Sequence, residues 1–540
     1  MLNLLRPFIV NTTLLLAVVP LWSGSEHTLD TGNAEAITGR QLRDDLEFIS
    51  SDDLRGRDTP SPGLDSAAVF IASRLSGWGL KPAGDTGTYF QYMGLRRDMV
   101  DAGACEVLID EDRFVSDTDF IAKPVPGSAR GRLVYAGNGY VVKEKGINPY
   151  TEIDIRDAVV VFSAGRPPTV SLRDLRKAEK GAAWDSPQSY CAKHGAVGLI
   201  EIPTLSQTTK WGKMSSDAVT KGTLVLEVLE DSTEAKLPQI TASARLAAAI
   251  FGDESDTIQS TLGIGIADGT VVPFELSPQK SVSIVVNTRS EYSTTRNVIG
   301  ILRGNDPDVR NEYVALGAHY DHVGVGPPVE GDSIYNGADD DGTGTVALLA
   351  IARALAHGKQ PRRSVLFVWH TGEEKGLLGS KFFTRFPTVP LENIVVQLNI
   401  DMIGRSRPPR DSTSTSLSGP NEVYVIGSNA MSTELGAIST SINSSYLRLN
   451  FNYKYDDTAD PLRLFFRSDH YNYAQKGIPI IFYFDGLHSD YHKPSDSVDK
   501  IDFDKLEKVT RTVHATVWHI ANVSERPHVD LALPQEWSDK

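Results

Sequence analysis

The sequence predicts an α/β protein: a mixed, mostly parallel sheet flanked by helices, interrupted by an inserted β-rich module. Three observations carry that prediction. Residues 312–320 (EYVALGAHY), 364–372 (SVLFVWHTG), 393–401 (NIVVQLNID) and 478–484 (IPIIFYF) are near-continuous apolar runs. Such runs suit strands covered on both faces. Helical stretches alternate with them, including residues 345–358 and residues 502–522, where Phe503, Leu506, Val509, Val513, Val517 and Ile520 share one face. Strand–helix alternation indicates a mainly parallel sheet. From about residue 106 to 284 the texture changes to short β-type runs at 131–137, 157–165, 196–202 and 223–229, punctuated by Asn, Gly and Pro.

In chain order, residues 1–36 read as an export leader. Arg6 starts it, residues 7–22 form its apolar stretch, and Ala34-Glu35-Ala36 is a small-x-small cleavage candidate, with residues 23–25 as the alternative. Asn11, Thr12, Thr13 and Pro20 interrupt the stretch, which argues against a stable membrane span. Residues 37–105 are expected to begin the main domain with helices over 38–50 and 61–79. In the second, Ala67, Phe70, Ile71, Leu75 and Trp78 make one face and Gly79 supplies a stop. The insert, 106–284, carries one helical stretch at residues 186–194. Residues 285–525 complete the main domain, and 526–540 form a tail.

The 540 residues are enough for two to four domains. A net charge of -15, from 54 basic and 69 acidic residues, argues against nucleic acid or anionic membrane as the main partner. Cys105 and Cys191 are the two cysteines. A disulfide and two buried thiols are both open, but two thiols alone cannot make a thiolate zinc site.

The chemistry lies at the ends of the apolar runs. The first ends in Ala318-His319-Tyr320-Asp321-His322. Asn336-Gly337-Ala338-Asp339-Asp340-Asp341-Gly342 follows, directly before a helix. The second run ends in Thr371-Gly372-Glu373-Glu374, the third in Asn399-Ile400-Asp401, and the last leads to His488-Ser489-Asp490-Tyr491-His492. Parallel sheets place their sites at the carboxyl ends of strands. Carboxylates gathered there repel one another unless cations compensate. Two divalent metals would be balanced by three carboxylates, two imidazoles being neutral, and one hydroxide. Imidazole with carboxylate is a zinc-type ligand mix.

In order and spacing these segments resemble the zinc aminopeptidase family that includes bacterial leucine aminopeptidases, glutamate carboxypeptidase and the transferrin receptor. The matching motifs are GAHYDHVG (317–324), NGADDDGTG (336–344), GEEKGLLGS (372–380), LNIDMIG (398–404), FRSDHYNYAQKGIP (466–479) and DYHKPSDSVDKI (490–501), with SDDLRGRDTPSPG (51–63) resembling the family's lead-in. The insert resembles a protease-associated domain. The resemblance implies two zinc ions per chain: His319 and Asp401 on one, Glu374 and His492 on the other, and Asp340 bridging both. It further implies a cis bond after Asp340, Glu373 as general base, and Tyr491 hydrogen-bonding an oxyanion. Asp321 is expected to orient the His319 imidazole through its other N–H. Asp469 is expected near the site, with His322, His370, His470 and His488 in structural or supporting roles.

The implied activity is that of an exported, periplasmic or extracellular metallopeptidase removing amino-terminal residues from peptides with a free amino end. Three alternatives stand beside it. A glutamate carboxypeptidase would need Arg405, Arg407 or Arg410 for a terminal carboxylate. A glutaminyl cyclase would use one zinc and usually has Trp where Tyr491 stands. A non-catalytic receptor would have lost the ligands that are present here. The insert is expected to cover the site, restrict substrate length or join two copies in a homodimer.

Overall fold

The computed structural model describes residues 29–176, 180–229, 235–252, 272–408, 416–457 and 460–534. Most of the expected leader therefore lies outside the described residues. Its proposed cleavage triplet does not: Ala34 is fully buried, and the neighbouring Gly32 carbonyl and Asn33 amide bond His514 and Ala354. The Ala34-Glu35-Ala36 segment is thus packed into the fold. Residues 23–25 lie outside the described residues.

Helix α1 (Gly39–Ile49) is capped by the Thr38 hydroxyl. Helix α2 (Pro62–Gly77) is capped by Ser61 and has Pro62 in its first turn. Both match the expected stretches, because the capping hydroxyl and the fixed proline φ suit a helix start. Their apolar faces, Leu42, Leu46 and Ile49 with Leu64, Ile71 and Leu75, belong to the main core.

Among the described residues, ten strands form the main sheet. In chain order nine of them are β1 (Phe90–Val100), β2 (Thr223–Leu226), β3 (Thr288–Leu302), β4 (Tyr313–His319), β5 (Ser364–His370), β6 (Ile394–Ile400), β7 (Glu422–Ile426), β8 (Asn450–Asn452) and β9 (Ile480–Phe484). Their spatial order is β2-β1-β3-β5-β4-β6-β9-β7-β8, with Lys81–Pro82 pairing β3. The four apolar runs are the parallel centre, β5, β4, β6 and β9. Every residue of these four strands is buried.

The margins depart from the mostly parallel expectation. β3 runs antiparallel to both β1 and β5, and β7 antiparallel to β9. The outer half of β3 is polar and exposed or half-buried throughout Thr288–Thr294, unlike the fully buried central strands, and an antiparallel margin tolerates such contact with water. Helices α3 (Gly344–Ala356) and α4 (Phe503–Asn522) pack the same core, through Val346, Leu349 and Ile351 and through Leu506, Val513 and Val517. Each such buried side chain contributes roughly 1.5–3 kcal/mol.

A second sheet, with its own core, uses strands from Glu106–Ile109 to Ser281–Val286. The expected runs at 131–137, 157–165 and 196–202 are in it as Gly127–Tyr135, Ala158–Ser163 and Gly198–Ile202. The run at 223–229 is not. Its first four residues are β2, at the margin of the main sheet, because Leu226 packs with Met93, Leu95 and Leu378. Cys105 and Cys191 are free buried thiols in separate clusters, which decides against a disulfide.

Candidate metal centre

The parallel centre delivers its ligand candidates at one crest. His319 is the last residue of β4, Glu373 and Glu374 follow β5 by a short turn, and Asp401 follows β6 directly. Asp340 sits in the turn entering α3, and His492 lies in the loop after β9. The bond Asp340-Asp341 is cis, as the resemblance implies.

Asp340 presents one oxygen to each side. Oδ1 is 3.3 Å from His319 Nε2, and Oδ2 is 3.1 Å from His492 Nε2. His319 Nε2 also lies 3.6 Å from Asp401 Oδ1, and His492 Nε2 lies 3.1 Å from Glu374 Oε1. Donor atoms held about 2.1 Å from a tetrahedral zinc are about 3.4 Å apart, so both sets have ligand spacing. His319, Asp340 and Asp401 form one group able to hold a metal ion; His322, Asp340 and Glu374 form another.

A cation also fits the polar bookkeeping. Asp340 Oδ2, Glu374 Oε1 and His492 Nε2 are buried with no hydrogen-bond partner, although they converge. Buried polar atoms without partners are costly, and a shared cation would satisfy all three at once. Electrostatics point the same way. Burial opposes charge on His319, yet Asp401 and Glu373 overcome it and raise its pKa well above the ordinary value. Burial likewise opposes charge on His492, and Asp340 and Glu374 push it up to about 10. The carboxylates demand positive charge, whether protons or metal ions supply it.

Glu373 lies beside the first group. Its Oε2 is 3.9 Å from His319 Nε2, and burial, with Glu374 and Asp401 nearby, raises its pKa well above the ordinary value despite His319. Tyr491 stands at the mouth of a pocket shared with Asp340, Glu373 and Asp401, walled by Leu464, Phe482 and Phe484. Its ring stacks on His492 and its hydroxyl accepts an N–H from Arg467 at 3.2 Å. Burial, then the charges of Asp340 and Glu374, raise its pKa, so the phenol stays protonated.

Asp321 plays its part through different atoms than expected. His319 Nδ1 bonds the Asp321 main-chain oxygen at 3.1 Å, while the nearest carboxylate oxygen is 3.7 Å away. That carboxylate is already engaged, accepting the Glu373 N–H and the Thr59 hydroxyl. Asp469 lies one layer behind the site, paired with His370 at 3.3 Å. His488 pairs with Asp339, and His470 stacks on Phe482. His322 comes closer than its supporting role suggested, its Nδ1 3.0 Å from Glu374 Oε1.

Two groups were not singled out from sequence. Asp341 accepts backbone N–H groups from His319, Gly344 and Met402, tying three ligand loops together. Asp496 Oδ2 accepts the N–H groups of Asp339 and Asp340. The Asp triplet was a signal for the first; a lone Asp in a loop gave none for the second.

The arginines offered for a terminal carboxylate are otherwise used. Arg405 is paired with Asp490 and Asp496 and largely buried, and Arg407 faces Glu422. Arg410 lies outside the described residues.

The sequence model of peptidase family M28 matches residues 297–517, the segment that supplies all five ligand candidates. This segment is similar to peptidase family M28. Leucine aminopeptidase 2 of Arthroderma otae is 36% identical over 146 residues, 27% of each chain. Aminopeptidase Y of Saccharomyces cerevisiae is 34% identical over 135 residues, 25% of this chain and 23% of that one. The matches thus span about a quarter of these relatives' length. Outside this segment the likeness is one of fold. The aminopeptidase from Aneurinibacillus sp. strain AM-1 aligns with a TM-score of 0.52 at 17% identity, covering 94% of this chain and 98% of that one. Among the described residues no helix is long and apolar enough to cross a membrane.

Proposed function

We propose that this protein is an exported aminopeptidase that holds two zinc ions and removes single residues from the free amino ends of peptides. The observation that carries the reading is the split of Asp340: its two oxygens face two separate imidazole and carboxylate sets. His319 and Asp401 would hold one ion and Glu374 and His492 the other, with Asp340 shared. The names of the relatives, leucine aminopeptidase and aminopeptidase Y, support the same activity.

Bound zinc would polarise the scissile carbonyl and ease deprotonation of the attacking water. The chain's own residues do the rest. The apolar pocket wall of Leu464, Phe482 and Phe484 receives the side chain of the first residue. Glu373 Oε2 accepts the proton of the water and returns it to the leaving amine, which its raised pKa suits. The Tyr491 hydroxyl donates to the developing oxyanion while accepting from Arg467. Arg405 and Arg407 are engaged by carboxylates, and Arg467, which lines the pocket, donates to Tyr491. We read the second sheet as a protease-associated insert that would restrict substrate length or join two copies.

The test is a panel of aminoacyl reporter amides, free and amino-blocked, with and without chelator. Cleavage of free substrates alone, lost with chelator, supports the reading. Glu373→Gln is expected to abolish turnover, a loss of ~10²–10⁴-fold or more, with zinc retained. Near-normal activity in that variant would refute the assignment of the base. One tightly held zinc per chain with cyclisation of amino-terminal glutamine would replace the peptidase by a cyclase.

A further inference from the structure

The lead-in segment Arg57-Asp58-Thr59 belongs by sequence to the start of the chain, far from every ligand. In the fold it runs directly beneath the metal centre. Arg57 is fully buried. Its guanidinium donates to the carbonyl oxygens of Tyr320 at 3.0 Å, Asn336 at 2.7 Å and Gly337 at 3.0 Å, and to that of Ile49. Its own carbonyl accepts the His322 N–H at 3.1 Å. Tyr320 and His322 belong to the loop that begins at His319; Asn336 and Gly337 belong to the turn that leads to Asp340. One side chain therefore spans the two loops carrying the first ligand and the bridging ligand. Gly56 makes the approach possible, since a Cβ there would lie 2.4 Å from the Tyr335 oxygen and 2.5 Å from the Gly324 oxygen.

The next two residues reach the third loop. Asp58 pairs with Lys375, the neighbour of Glu374, at 2.6 Å. The Thr59 hydroxyl donates to Asp321 Oδ2 at 3.1 Å, while Asp321 Oδ1 accepts the Glu373 N–H at 3.1 Å. Thr59 is fully buried and its hydroxyl is also 3.5 Å from that of Thr371, which in turn meets Thr295 at 2.7 Å. The path from Thr59 to Glu373 thus has one intermediary, the Asp321 carboxylate.

We infer that this segment is a positioning device for the metal centre: Arg57 fixes the spacing of the His319 and Asp340 loops, and Thr59 fixes Glu373 through Asp321. The inference rests on the aminopeptidase reading for the role of Glu373, but its Arg57 arm concerns metal affinity alone. A guanidinium suits the task because its planar fork has five donors, enough for four carbonyls in three directions, where an ammonium has three on one atom. Burial lowers the Arg57 pKa only to about 10, so it remains charged at neutral pH. Its charge also lies beneath Asp321, Asp340, Asp341 and Asp496.

The experiment uses the full chain and four variants: Arg57→Met, Arg57→Lys, Thr59→Val and Thr59→Ser. Zinc affinity is read by competition with a chelating dye, and kcat and KM on an aminoacyl anilide. Arg57→Met is expected to weaken zinc binding about tenfold or more, and Arg57→Lys to restore it only in part. Thr59→Val is expected to lower kcat about tenfold with KM and zinc affinity unchanged, and Thr59→Ser to recover it. A general packing defect would not give that split or that rescue. Folded Arg57→Met with zinc affinity within twofold of the parent overturns the Arg57 arm; Thr59→Val with kcat within twofold overturns the other. Should Arg57→Met fail to fold, Arg57→Lys decides that arm, and a folded Arg57→Lys with parental zinc affinity overturns it. A parent protein that cleaves no aminoacyl amide sinks the aminopeptidase reading, while the dye competition still tests Arg57.

Discussion

The two halves of the candidate metal centre are chemically alike and physically unequal. One half, His319 with Asp401, is enclosed: the His319 side chain is 1% exposed and its other ring nitrogen is fixed by a main-chain carbonyl. The other half, Glu374 with His492, opens outward, His492 being 35% exposed and carried by a loop rather than a strand end. Asp340 is common to both. The difference teaches that the sheet supplies one rigid set of donors, and that a loop closes the second set over it. Ligand precision follows from the element beneath each side chain, so the halves should differ in how readily they release a cation.

The sharpest way to break that comparison is to remove what the halves share. Asp340→Ala is expected to lose both ions and to lower kcat/KM by at least about 10³-fold, read by elemental analysis and hydrolysis of an aminoacyl amide. Loss of a single zinc would show that the halves are independent and that Asp340 does not bridge. Next comes the inequality itself. His492→Ala is expected to keep one zinc and lose about 10²-fold or more in activity, whereas His319→Ala should also disturb the enclosed half. In the parent protein, dilute chelator should remove zinc in two phases; a single phase would make the halves equal.

Acid provides a perturbation of scaffold rather than site. His514, on the buried face of α4, bonds the Gly32 carbonyl, and burial lowers its pKa to about 4. The unfolded chain takes up a proton near pH 6.5 and the folded chain does not until about pH 4. The unfolded state therefore binds more protons between those values, and stability falls as pH drops through that window. One such histidine removes about 3 kcal/mol by pH 4. The metal-free parent should show this loss in denaturant midpoints, and His514→Gln should flatten it. An unchanged slope in the variant would assign the acid response to other groups.

The sequence exposed the parallel centre and the ligand set because both are local signals. Apolar runs such as residues 393–401 announce buried strands, and each run ends in its own donor. The margins were less legible: β2 reads like any strand of the insert until Leu226 is seen packing on Leu95. Arg57 is hidden for a stronger reason. A buried arginine bonded to carbonyls depends on where distant backbone oxygens point, and no residue-type pattern records that. Asp321 shows the same limit, since spacing places the residue beside His319 but does not tell its carbonyl from its carboxylate.

The smallest expected effect tests the outward-facing half most finely. Tyr491 stacks on His492 and accepts from Arg467, so its own proton is left for a substrate oxygen, and its raised pKa keeps that proton in place at neutral pH. Tyr491→Phe keeps the ring against His492 and removes only the donor. Zinc content and KM should therefore stay within about twofold of the parent, while kcat falls about tenfold to a hundredfold, at or below the usual effect of deleting one oxyanion donor because this one is partly open to water. If zinc is lost instead, the tyrosine serves to hold His492. If kcat is unchanged, the oxyanion is met by other groups, and the loop carrying His492 contributes a ligand alone.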